Sequence, residues 1–481
     1  MAQMTATPVS TQGFLVDGKW LESGDVVEVK SPYDGALVGT VYQGRREHAE
    51  AAIAAAVKAF GTTRRLPAFE RQRVLKRVAQ GIAERKEEFA RTVAQEAGKP
   101  IKAARTEVER AIFTFTVAAE ESTRNYGEYL PLDWQEFTAG RWGIVKRFPL
   151  GPIAGITPFN FPVNLVAHKL APAIASGCPM VLKPAPQTPL SALLLAHTVQ
   201  QAGWPDGALN VLPLSNEDAG LLVTDERLKL ISFTGSASVG WDIKRRAGKK
   251  KVILELGGNA GVLVHNDADL NYAAERCVAG GFAYAGQTCI SVQRILVERS
   301  VFGKFTELLL AGVKKLKTGD PLDDSTDLGP LIRESDAIRT IDWVQEAVRG
   351  GARLLAGGQR RGSIVEPTVL TNTRADMKVN CQEIFGPVVT LETYEDFGEA
   401  LRQVNNSPYG LQAGIFTRDV KLLFNAYEEL EVGSVIAGDV PTFRIDHMPY
   451  GGIKDSGLGR EGLRYAIEEM TEPKLLVMNL R

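Results

Sequence analysis

The 481-residue sequence is poor in cysteine and histidine, and both shortages limit the chemistry that it can support. Four cysteines are too few for a disulfide framework in so long a chain, and none shows the CxxC spacing of a zinc site. Only five histidines are present, and none lies in a motif around Cys289, which argues against a hydrolase with a Cys–His pair. We therefore expect free thiols, no metal site and a reducing, cytoplasmic environment.

The sequence also lacks an excess of either charge and any long apolar run. Its 56 basic and 57 acidic residues give a net charge of −1, so no overall field attracts nucleic acid or an anionic membrane surface. No uncharged apolar run reaches the roughly 20 residues needed to span a bilayer. The segment Met1–Phe14 is polar and does not resemble a secretory signal. These absences predict a protein without nucleic-acid or membrane partners.

The hydrophobic pattern predicts an α/β fold. Apolar residues recur at helical spacing over Glu47–Phe60, Phe69–Ala97 and Ile101–Arg124, so the first third is expected to be mostly helical. From about Arg147, short runs rich in Val, Ile and Leu alternate with longer helical stretches. Five of these runs are predicted core strands: Ile153–Thr157, Met180–Lys183, Leu209–Leu212, Lys229–Phe233 and Val252–Leu256. This alternation predicts a mostly parallel sheet, in which ligands bind beyond the carboxyl ends of the strands.

A second series of strands and helices follows, from Gly261 to about Ser434. Its predicted strands are Gly261–His265, Ile295–Glu298 and Pro387–Glu392, and Glu472–Asn479 is predicted as a terminal strand. The chain length indicates two or three domains.

Cys289 is the cysteine best placed to act as a nucleophile. It lies in Gly286–Ser291, where glycine and polar neighbours leave the thiol accessible, whereas Cys178 and Cys277 lie in apolar or helical stretches. A thiol reacts as the thiolate, so its ordinary pKa of about 8.5 must be lowered or a base must be supplied. Taken alone, the ordinary interpretation of such a cysteine is a small buried apolar residue.

Two polar residues at predicted strand ends are candidates for the rest of the chemistry. Glu255 follows a core strand and precedes two glycines, which is a suitable place for a general base. Asn160 lies in the two-proline turn Pro158–Pro162, where its amide can stabilise an oxyanion. Each has an ordinary alternative: a solvated or helix-capping glutamate, and a turn asparagine that bonds its own backbone.

Together these motifs resemble those of the aldehyde dehydrogenase superfamily, of the NAD(P)-dependent, hydrolytic, non-acylating type. Glu255 and Cys289 are 34 positions apart, the usual family spacing between base and nucleophile. The resemblance covers essentially the whole chain and rests on seven ordered segments: Pro158–Pro162, Lys183–Ala185, Phe233–Ser236, Glu255–Asn259, Gly286–Cys289, Glu383–Pro387 and Tyr450–Gly457.

The resemblance implies oxidation of an aldehyde to a carboxylic acid. Cys289 would attack the aldehyde carbon, and Asn160 with the Cys289 backbone N–H would hold the oxyanion of the thiohemiacetal. After hydride transfer to NAD or NADP, Glu255 would activate water to hydrolyse the thioester. Lys169 and Glu461 match positions that help to relay the proton.

The resemblance also assigns the cofactor site. Lys183 would bond the adenosine ribose, Gly235 and Ser236 would meet the pyrophosphate, and Glu383 would hold the nicotinamide ribose with Phe385 beside the ring. The remaining cofactor positions are Ile156, Thr157, Pro158, Phe159, Ala185, Pro186, Phe233 and Leu256. The ordinary alternative for Lys183 is a solvated surface lysine.

Two departures from the family pattern leave the cofactor preference open, and one apparent dinucleotide motif is rejected. Pro186 replaces the glutamate of many NAD-preferring relatives, and Leu214–Ala219 replaces a glycine-rich segment, so the choice between NAD and NADP stays open. Gly457–Gly462 fits GxGxxG, but it follows no clear core strand and lies too near the end for a βαβ unit, so it is rejected as a dinucleotide site.

The substrate is predicted to be a short, polar or anionic aldehyde. His168 replaces a bulky apolar residue of many relatives, and Arg444 and His447 precede the segment Tyr450–Gly457. Arginine binds carboxylate and phosphate through two parallel hydrogen bonds, which favours an acidic substrate. In the alternative interpretation, Asp446 and solvent satisfy Arg444.

The expected architecture is a Rossmann-like cofactor domain, an α/β catalytic domain and a small β oligomerisation element. Their predicted ranges are 1–124 with 148–255, 256–461, and 125–147 with 462–481, respectively. An unpaired edge strand invites pairing with a second copy, so a homodimer or homotetramer is expected. Two other functions stay open: a CoA-acylating dehydrogenase, which usually lacks the base that Glu255 supplies, and a non-catalytic protein on the same scaffold.

Overall fold

The computed structural model describes residues 11–22, 25–124 and 126–479. Predictions that concern residues 1–10, Asn125 and the last two residues lie outside this part. In the described part the strands, in chain order, are β1 Thr11–Gln12, β2 Phe14–Val16, β3 Lys19–Leu21, β4 Val26–Lys30, β5 Leu37–Tyr42, β6 Glu128–Pro131, β7 Arg141–Pro149, β8 Ile153–Ile156, β9 Met180–Lys183, β10 Leu209–Val211, β11 Leu230–Thr234, β12 Lys251–Glu255, β13 Ala260–Val264, β14 Val292–Glu298, β15 Arg353–Ala356, β16 Arg360–Arg361, β17 Ile364–Val365, β18 Thr368–Thr371, β19 Val388–Tyr394, β20 Tyr409–Gly410, β21 Gln412–Phe416, β22 Ser434–Ala437, β23 Ile453–Lys454, β24 Gly457–Leu458 and β25 Thr471–Asn479.

Helices fill most of the connections between these strands. Across the same described ranges they are α1 Arg46–Thr63, α2 Ala68–Glu84, α3 Lys86–Ala97, α4 Ile101–Glu121, α5 Asn164–Ser176, α6 Pro189–Gln201, α7 Gly220–Thr224, α8 Ala237–Arg246, α9 Leu270–Phe282, α10 Phe302–Val313, α11 Glu334–Arg349, α12 Lys378–Cys381, α13 Phe397–Asn405, α14 Val420–Glu429 and α15 Leu463–Glu469. None of the helices in this part of the chain is both long and apolar enough to cross a membrane.

The first large sheet has the order β24-β12-β11-β8-β9-β10-β2-β3. The five central strands, β12 to β10 in this order, run parallel and agree with the five predicted core strands to within a residue or two at each end. They consist almost entirely of buried residues, as expected for parallel strands covered on both faces. The chain runs from β8 outward through β9 and β10, then returns to the other side of β8 for β11 and β12. A ligand crevice is expected at this reversal.

The second large sheet has the order β15-β18-β19-β14-β13-β21-β22 and contains the three strands predicted after Gly261. The first large sheet lies in one apolar core that extends from Phe14 to Met470 along the chain. The second sheet is covered by separate apolar clusters, the main one extending from Val262 to Val440. A third sheet is formed by β6, β7 and β25, with Thr471 opposite Pro149 and Asn479 opposite Arg141. This third sheet contains the predicted terminal strand.

The prediction that the first third is mostly helical is wrong for its beginning. Strands β1 to β5 lie between Thr11 and Tyr42, and β2 joins the first large sheet beside β10. Such two- to six-residue strands are too short to show a clear alternation in the sequence. The predicted helix Phe69–Ala97 is two helices, because the backbone leaves helical geometry at Arg85 (φ −112°, ψ 21°). There the Arg85 guanidinium bonds Glu88 of the next helix through two atoms.

Candidate active site

A cavity of about 480 Å³ lies at the strand reversal of the first sheet, between the two large sheets. Its wall combines the segments after β8, β11 and β12 with the loop before β14. Twelve residues predicted to be functional line it: Pro158, Phe159, Asn160, Gly235, Ser236, Glu255, Leu256, Cys289, Glu383, Phe385, Arg444 and Glu461. The fold thus brings together residues that lie up to 303 positions apart in the sequence.

Cys289 is partly exposed to this cavity, whereas Cys178 and Cys277 are buried elsewhere, as predicted. The Cys289 sulfur lies 3.0 Å from the hydroxyl oxygen of Tyr450. Loss of hydration raises the pKa of the Cys289 thiol to about 11, against the opposing effects of the Tyr450 hydrogen bond and the Arg444 charge. A base near the thiol is therefore needed for attack near neutral pH.

The loop that presents Cys289 has an unusual backbone. Tyr284 and Ala285 both have positive φ values, 48° and 51°, which cost energy for residues with a side chain. The Tyr284 hydroxyl donates to the Ala97 carbonyl at 2.8 Å, and the buried Gln287 side chain accepts from the Ile332 N–H at 2.9 Å. These contacts fix the loop on both sides, so the strained backbone is held in place.

Glu255 is the last residue of β12, and its side chain is buried in the cavity wall. Neither of its carboxylate oxygens has a hydrogen-bond partner among the described residues. Burial and the negative charge of Glu461 raise the Glu255 pKa well above its usual value, and Arg444 and Lys169 oppose this rise. A buried carboxyl with a raised pKa and free oxygens is suited to accept a proton.

The backbone after Glu255 passes close to two other parts of the site. A Cβ atom at Gly257 would lie 2.2 Å from a carboxylate oxygen of Glu383, and one at Gly258 would lie 2.2 Å from the Cys289 carbonyl oxygen. Only glycine allows both approaches. The Gly258 N–H donates to the Glu383 carboxylate at 3.0 Å, so this segment links the base, the nucleophile and Glu383.

Asn160 lies in the turn between β8 and α5 and is buried. Its side-chain nitrogen donates to the Gln287 carbonyl at 3.0 Å, two residues before Cys289. An amide nitrogen carries two hydrogens, so the second can face an oxyanion on the substrate. The Asn160 side-chain oxygen has no partner in the described chain.

Lys169, Glu461 and Arg444 form a buried charged cluster beside Glu255. The Lys169 ammonium donates to Glu461 at 3.3 Å and to the Ser232 and Thr234 hydroxyls at 3.0 and 2.8 Å. The Arg444 guanidinium donates to the other Glu461 oxygen at 3.0 Å. Burial alone would raise the Glu461 pKa, but the neighbouring cations, Lys169 foremost, hold it below its usual range. Two cations thus share one carboxylate.

The predicted substrate residues do not all face the cavity. Arg444 lines it, but His168 is buried behind the wall and bonds Asp446 at 2.7 Å. Burial and the nearby Arg444 charge lower the His168 pKa, against the effect of Asp446. His447 is exposed, and its ring packs edge-on against Phe113 with centroids 5.9 Å apart. The described cavity wall does not include His447.

Several groups near the ends of the central strands have the chemistry to bind a dinucleotide. Ser236 directly precedes helix α8, and no side-chain cap is present on this helix in the described chain, so its first N–H groups are available to a phosphate. Burial lowers the Lys183 pKa to about 8, and the ammonium bonds Asn216 at 3.3 Å. Burial also raises the Glu383 pKa to about 7, against the Gly258 hydrogen bond. Phe385 meets Phe159 edge-on with centroids 6.0 Å apart.

The remaining predicted cofactor positions lie around the same strand ends. Ile156 ends β8, Phe233 is the penultimate residue of β11, and the Thr157 N–H donates to the Lys183 carbonyl at 3.2 Å. Ala185 is buried and Pro186 is exposed beyond β9. None of these five positions is in the described cavity wall, so their contact with a cofactor stays a prediction.

Among the lining residues that sequence reasoning missed, Arg110, Tyr450 and Thr288 bear on the chemistry of the site. Arg110 lies on α4, which contains many charged residues, so nothing in the sequence distinguishes it as a site residue. Its guanidinium bonds Asp446 at 2.6 and 3.2 Å, and Asp446 also holds His168. Tyr450 and Thr288 lie inside segments that match the family. Their hydroxyl groups in these segments could have identified them as candidate site residues.

Comparison with known proteins agrees with this geometry. The model of the aldehyde dehydrogenase family matches residues 20–476. The 3-sulfolactaldehyde dehydrogenase of Priestia aryabhattai is 43% identical over 475 residues, which cover 98% of this chain and 99% of that protein. The crystal structure of aldehyde dehydrogenase 21 from Physcomitrella patens, in complex with the reaction product succinate, has a TM-score of 0.97 and 48% identity, with 98% and 99% of the two chains covered.

A further similar structure contains a cofactor. The glyceraldehyde-3-phosphate dehydrogenase of Methanocaldococcus jannaschii, complexed with NADP, has a TM-score of 0.92 and 40% identity, with 95% of this chain and all of that chain covered. The predicted α/β fold class and the predicted NAD(P)-dependent oxidation of an aldehyde are confirmed. The chain belongs to the aldehyde dehydrogenase family.

Proposed function

We propose that this enzyme oxidises a short anionic aldehyde to the carboxylic acid, with Cys289 as nucleophile, Glu255 as base and Asn160 as oxyanion donor. The observation that carries the proposal is a set of cavity-wall polar atoms without partners in the described chain: both Glu255 oxygens, the Asn160 oxygen, the Thr288 hydroxyl and the Arg444 Nε. Buried polar groups without partners are costly, so a ligand is expected to satisfy them.

Each step of the proposed reaction is assigned to a different side chain of the site. The Cys289 sulfur bonds to the aldehyde carbon, and the Asn160 amide and the Cys289 N–H hold the oxygen that becomes negative. When bound, a nicotinamide dinucleotide supplies the acceptor for the hydride that leaves the substrate carbon. Glu255 takes a proton from the water that then cleaves the thioester, and Lys169 with Glu461 connects Glu255 to a proton path.

Cofactor binding is proposed for the groups near the ends of the central strands. Lys183 would hold the adenosine ribose, the start of α8 at Gly235 and Ser236 the pyrophosphate, and Glu383 the nicotinamide ribose. Glu383 suits this role because the Gly258 N–H fixes its carboxylate at the cavity wall. The remaining positions, Ile156, Thr157, Pro158, Phe159, Ala185, Pro186, Phe233, Leu256 and Phe385, would contact the same cofactor.

An anionic substrate is supported by two arginines in the wall. Arg444 shares Glu461 with Lys169, so these three groups carry one net positive charge, which is uncompensated while Glu255 is protonated. Asp446 bonds two nitrogens of Arg110, and the third nitrogen can face a ligand. The three related proteins act on sulfolactaldehyde, form succinate or act on glyceraldehyde 3-phosphate, and each of these compounds carries an anionic group. His168 would act indirectly, by holding Asp446. His447 would contact a substrate only outside the described cavity wall.

The test compares succinic semialdehyde with butanal, which has the same chain length and no carboxylate. Reduced cofactor is followed by absorbance, with NAD and NADP tried separately. We expect kcat/KM to favour the acid by about 100-fold, and Arg110→Met and Arg444→Met each to remove at least about 10-fold of this preference. Arg105→Met, which changes a partly exposed arginine on the same helix α4 outside the cavity wall, is the matched control. Equal kcat/KM values for the two aldehydes in the unaltered enzyme would refute the anionic substrate.

We also propose a homodimer or homotetramer that forms through the third sheet. One cross-strand row of this sheet is apolar and exposed: Tyr129 (67%), Ile144 (41%) and Leu476 (57%) are adjacent on β6, β7 and β25. Such a row favours contact with a second copy.

The proposed domain ranges stay 1–124 with 148–255 for cofactor binding, 256–461 for catalysis, and 125–147 with 462–481 for oligomerisation. The two separate apolar cores support a division near Glu255. One strand of the proposed catalytic range crosses this division, because β24 pairs with β12 of the first sheet. A cytoplasmic location is proposed because all four cysteines are free thiols.

A further inference from the structure

Tyr450 is held rigidly against the nucleophile. Its side chain is fully buried and packs with Ile290 and Leu411, next to Cys289. Its backbone is fixed as well, because Tyr450 and Glu461 exchange two N–H to carbonyl hydrogen bonds. The hydroxyl oxygen therefore stays 3.0 Å from the Cys289 sulfur without a mobile side chain to order.

The chemistry of the two groups fixes the direction of their hydrogen bond once the thiol is ionised. A phenol O–H is a good donor, whereas a thiolate has no proton and is a strong acceptor. Burial, followed by the negative charge of ionised Cys289, raises the Tyr450 pKa well above its usual value. Tyr450 thus keeps its proton and acts as a donor, not as a base.

Arg444 lies on the face of the Tyr450 ring. Its guanidinium carbon is 3.6 Å from the ring centroid, within the range of a cation–π contact. A positive charge over the ring draws electron density from the phenol oxygen and strengthens its O–H as a donor. The same guanidinium is held by Glu461, so its position over the ring is fixed.

We propose that the Tyr450 hydroxyl is a catalytic hydrogen-bond donor to the Cys289 sulfur and that Arg444, stacked on the ring, strengthens this donor. The inference rests on the proposed role of Cys289 as nucleophile. The donor acts twice. Before attack it stabilises the thiolate that remains when the thiol proton has left to a base.

The second action comes during thioester hydrolysis. Water loses one proton to Glu255 and its oxygen bonds to the thioester carbon, which gives a tetrahedral intermediate. When this intermediate collapses, the carbon–sulfur bond breaks, its electron pair stays on sulfur, and the carboxylic acid leaves. A hydrogen bond from Tyr450 to the departing thiolate makes sulfur a better leaving group.

The decisive experiment titrates the thiol without substrate or cofactor. The full chain carries Cys381→Ser, which removes the other partly exposed cysteine, and iodoacetamide alkylation of Cys289 is followed by mass spectrometry from pH 6 to about 11. Because the thiol pKa of about 11 lies at the end of this range, the midpoint is defined as the pH at which half of Cys289 is alkylated in a fixed time. We expect Tyr450→Phe to raise the midpoint by about one pH unit. At a given pH below the thiol pKa, this shift means a tenfold lower thiolate fraction, and it is equivalent to about 1.4 kcal/mol. An unchanged midpoint in Tyr450→Phe would overturn the proposal.

Tyr394→Phe is the matched control, because this buried tyrosine also bonds through its hydroxyl, to His265 at 3.0 Å, but lies in a different apolar cluster. It is expected to leave the alkylation midpoint unchanged, which separates the loss of a buried hydroxyl from the loss of the sulfur contact. An equal shift in both variants would count against a specific role. Failure of the proposed function would be recognised separately, by full aldehyde oxidation in Cys289→Ser.

The Arg444 contribution is tested by a double-mutant cycle on the same midpoint. Arg444→Met alone removes both its direct charge effect and its effect through the ring. We expect it to shift the midpoint less when Tyr450 is already Phe, since the donor is then absent. Additive shifts would show that Arg444 does not act through Tyr450. In single-turnover assays, Tyr450→Phe should slow thioester hydrolysis about tenfold.

Discussion

Lys99 and Glu107 form an ion pair in which both side chains are almost completely buried, at 1% and 0% exposure. The Lys99 ammonium lies 3.7 Å from the centroid of the Phe161 ring and 4.5 Å from that of Tyr284. Phe161 is next to Asn160, and Tyr284 lies in the loop before Cys289. One buried cation therefore connects the segment of the oxyanion donor to the segment of the nucleophile.

Removing this cation is expected to destabilise the protein strongly. Lys99→Met leaves the Glu107 carboxylate buried without its partner, which typically costs about 3–5 kcal/mol of unfolding free energy. Lys102→Met, three residues further on, is the control, since its ion pair with Asp327 is half exposed and worth under about 1 kcal/mol. Urea unfolding measures both values, and similar losses in the two variants would contradict a stabilising role for the buried pair.

Replacing both charges is not expected to restore stability. Glu107 also accepts the backbone N–H groups of Val163 at 2.9 Å and Asn164 at 3.1 Å, where α5 begins. In the Lys99→Met/Glu107→Leu double variant these donors lose their acceptor and stay buried. Its urea midpoint should therefore remain below that of the unaltered protein. A midpoint equal to that of the unaltered protein would show that the two N–H groups need no partner.

The pH dependence of turnover is expected to follow Glu255. Burial and Glu461 raise its pKa well above 4.5, so the base is protonated at acidic pH and becomes active only as the pH rises through that raised pKa. kcat should therefore fall on the acid side at a pH clearly above that of an ordinary glutamate. Glu255→Gln should lose this limb and accumulate the thioester, seen as one equivalent of reduced cofactor without steady turnover. A CoA-dependent recovery of turnover would indicate acyl transfer to CoA.

The same residue is expected to weaken the fold at alkaline pH. A carboxyl whose pKa is raised in the folded state binds a proton more tightly there than in the unfolded chain, so stability falls as the pH rises through the interval between the two pKa values. Glu255→Gln should remove this dependence and be more stable than the unaltered enzyme near pH 8. Thermal unfolding at pH 5 and pH 8 measures the difference. A parallel loss of Tm in both proteins would contradict the assignment.

Asn160 is expected to affect turnover without affecting the thiol. Asn160→Ala should lower kcat about 10²–10³-fold, the usual effect of removing one oxyanion donor. Alkylation of Cys289 by iodoacetamide should keep its pH midpoint, because Asn160 bonds the Gln287 carbonyl and not the sulfur. A large change in the alkylation midpoint would instead mean that Asn160 shapes the loop rather than the transition state.

The exposed apolar row of the third sheet is expected to control assembly. Leu476→Glu places a charge at one end of the row, beside Ile144, and should lower the molecular mass seen by light scattering to that of one chain. Phe69→Glu, at an equally exposed apolar residue on α2, is the control and should leave the mass unchanged. An oligomer that persists in Leu476→Glu would place the interface elsewhere.

The sequence predicted the core strands and three residues that line the cavity, because each of these predictions depends on local order. Val, Ile and Leu runs identify buried parallel strands, and Glu255, Asn160 and Cys289 each follow or precede such a run within a matched segment. Arg110 could not be predicted, since its role depends on α4 packing against the loop of Asp446, more than 300 positions later. His447 is the opposite case: it is near Arg444 in sequence, but its side chain is exposed and lies outside the described cavity wall.

The pairing of β24 with β12 and of Tyr450 with Glu461 also sets the order in which the enzyme matures. A chain on the ribosome exposes Cys289 long before Arg444, Tyr450 and Glu461 have been synthesised, although the central strands of the first sheet can already fold. Until the final segment docks along β12, the thiol lacks its hydrogen-bond donor and its positive surroundings. A nascent chain that stalls before Arg444 therefore contains the central strands of the first sheet but an incomplete site, and turnover is expected only when synthesis is nearly complete.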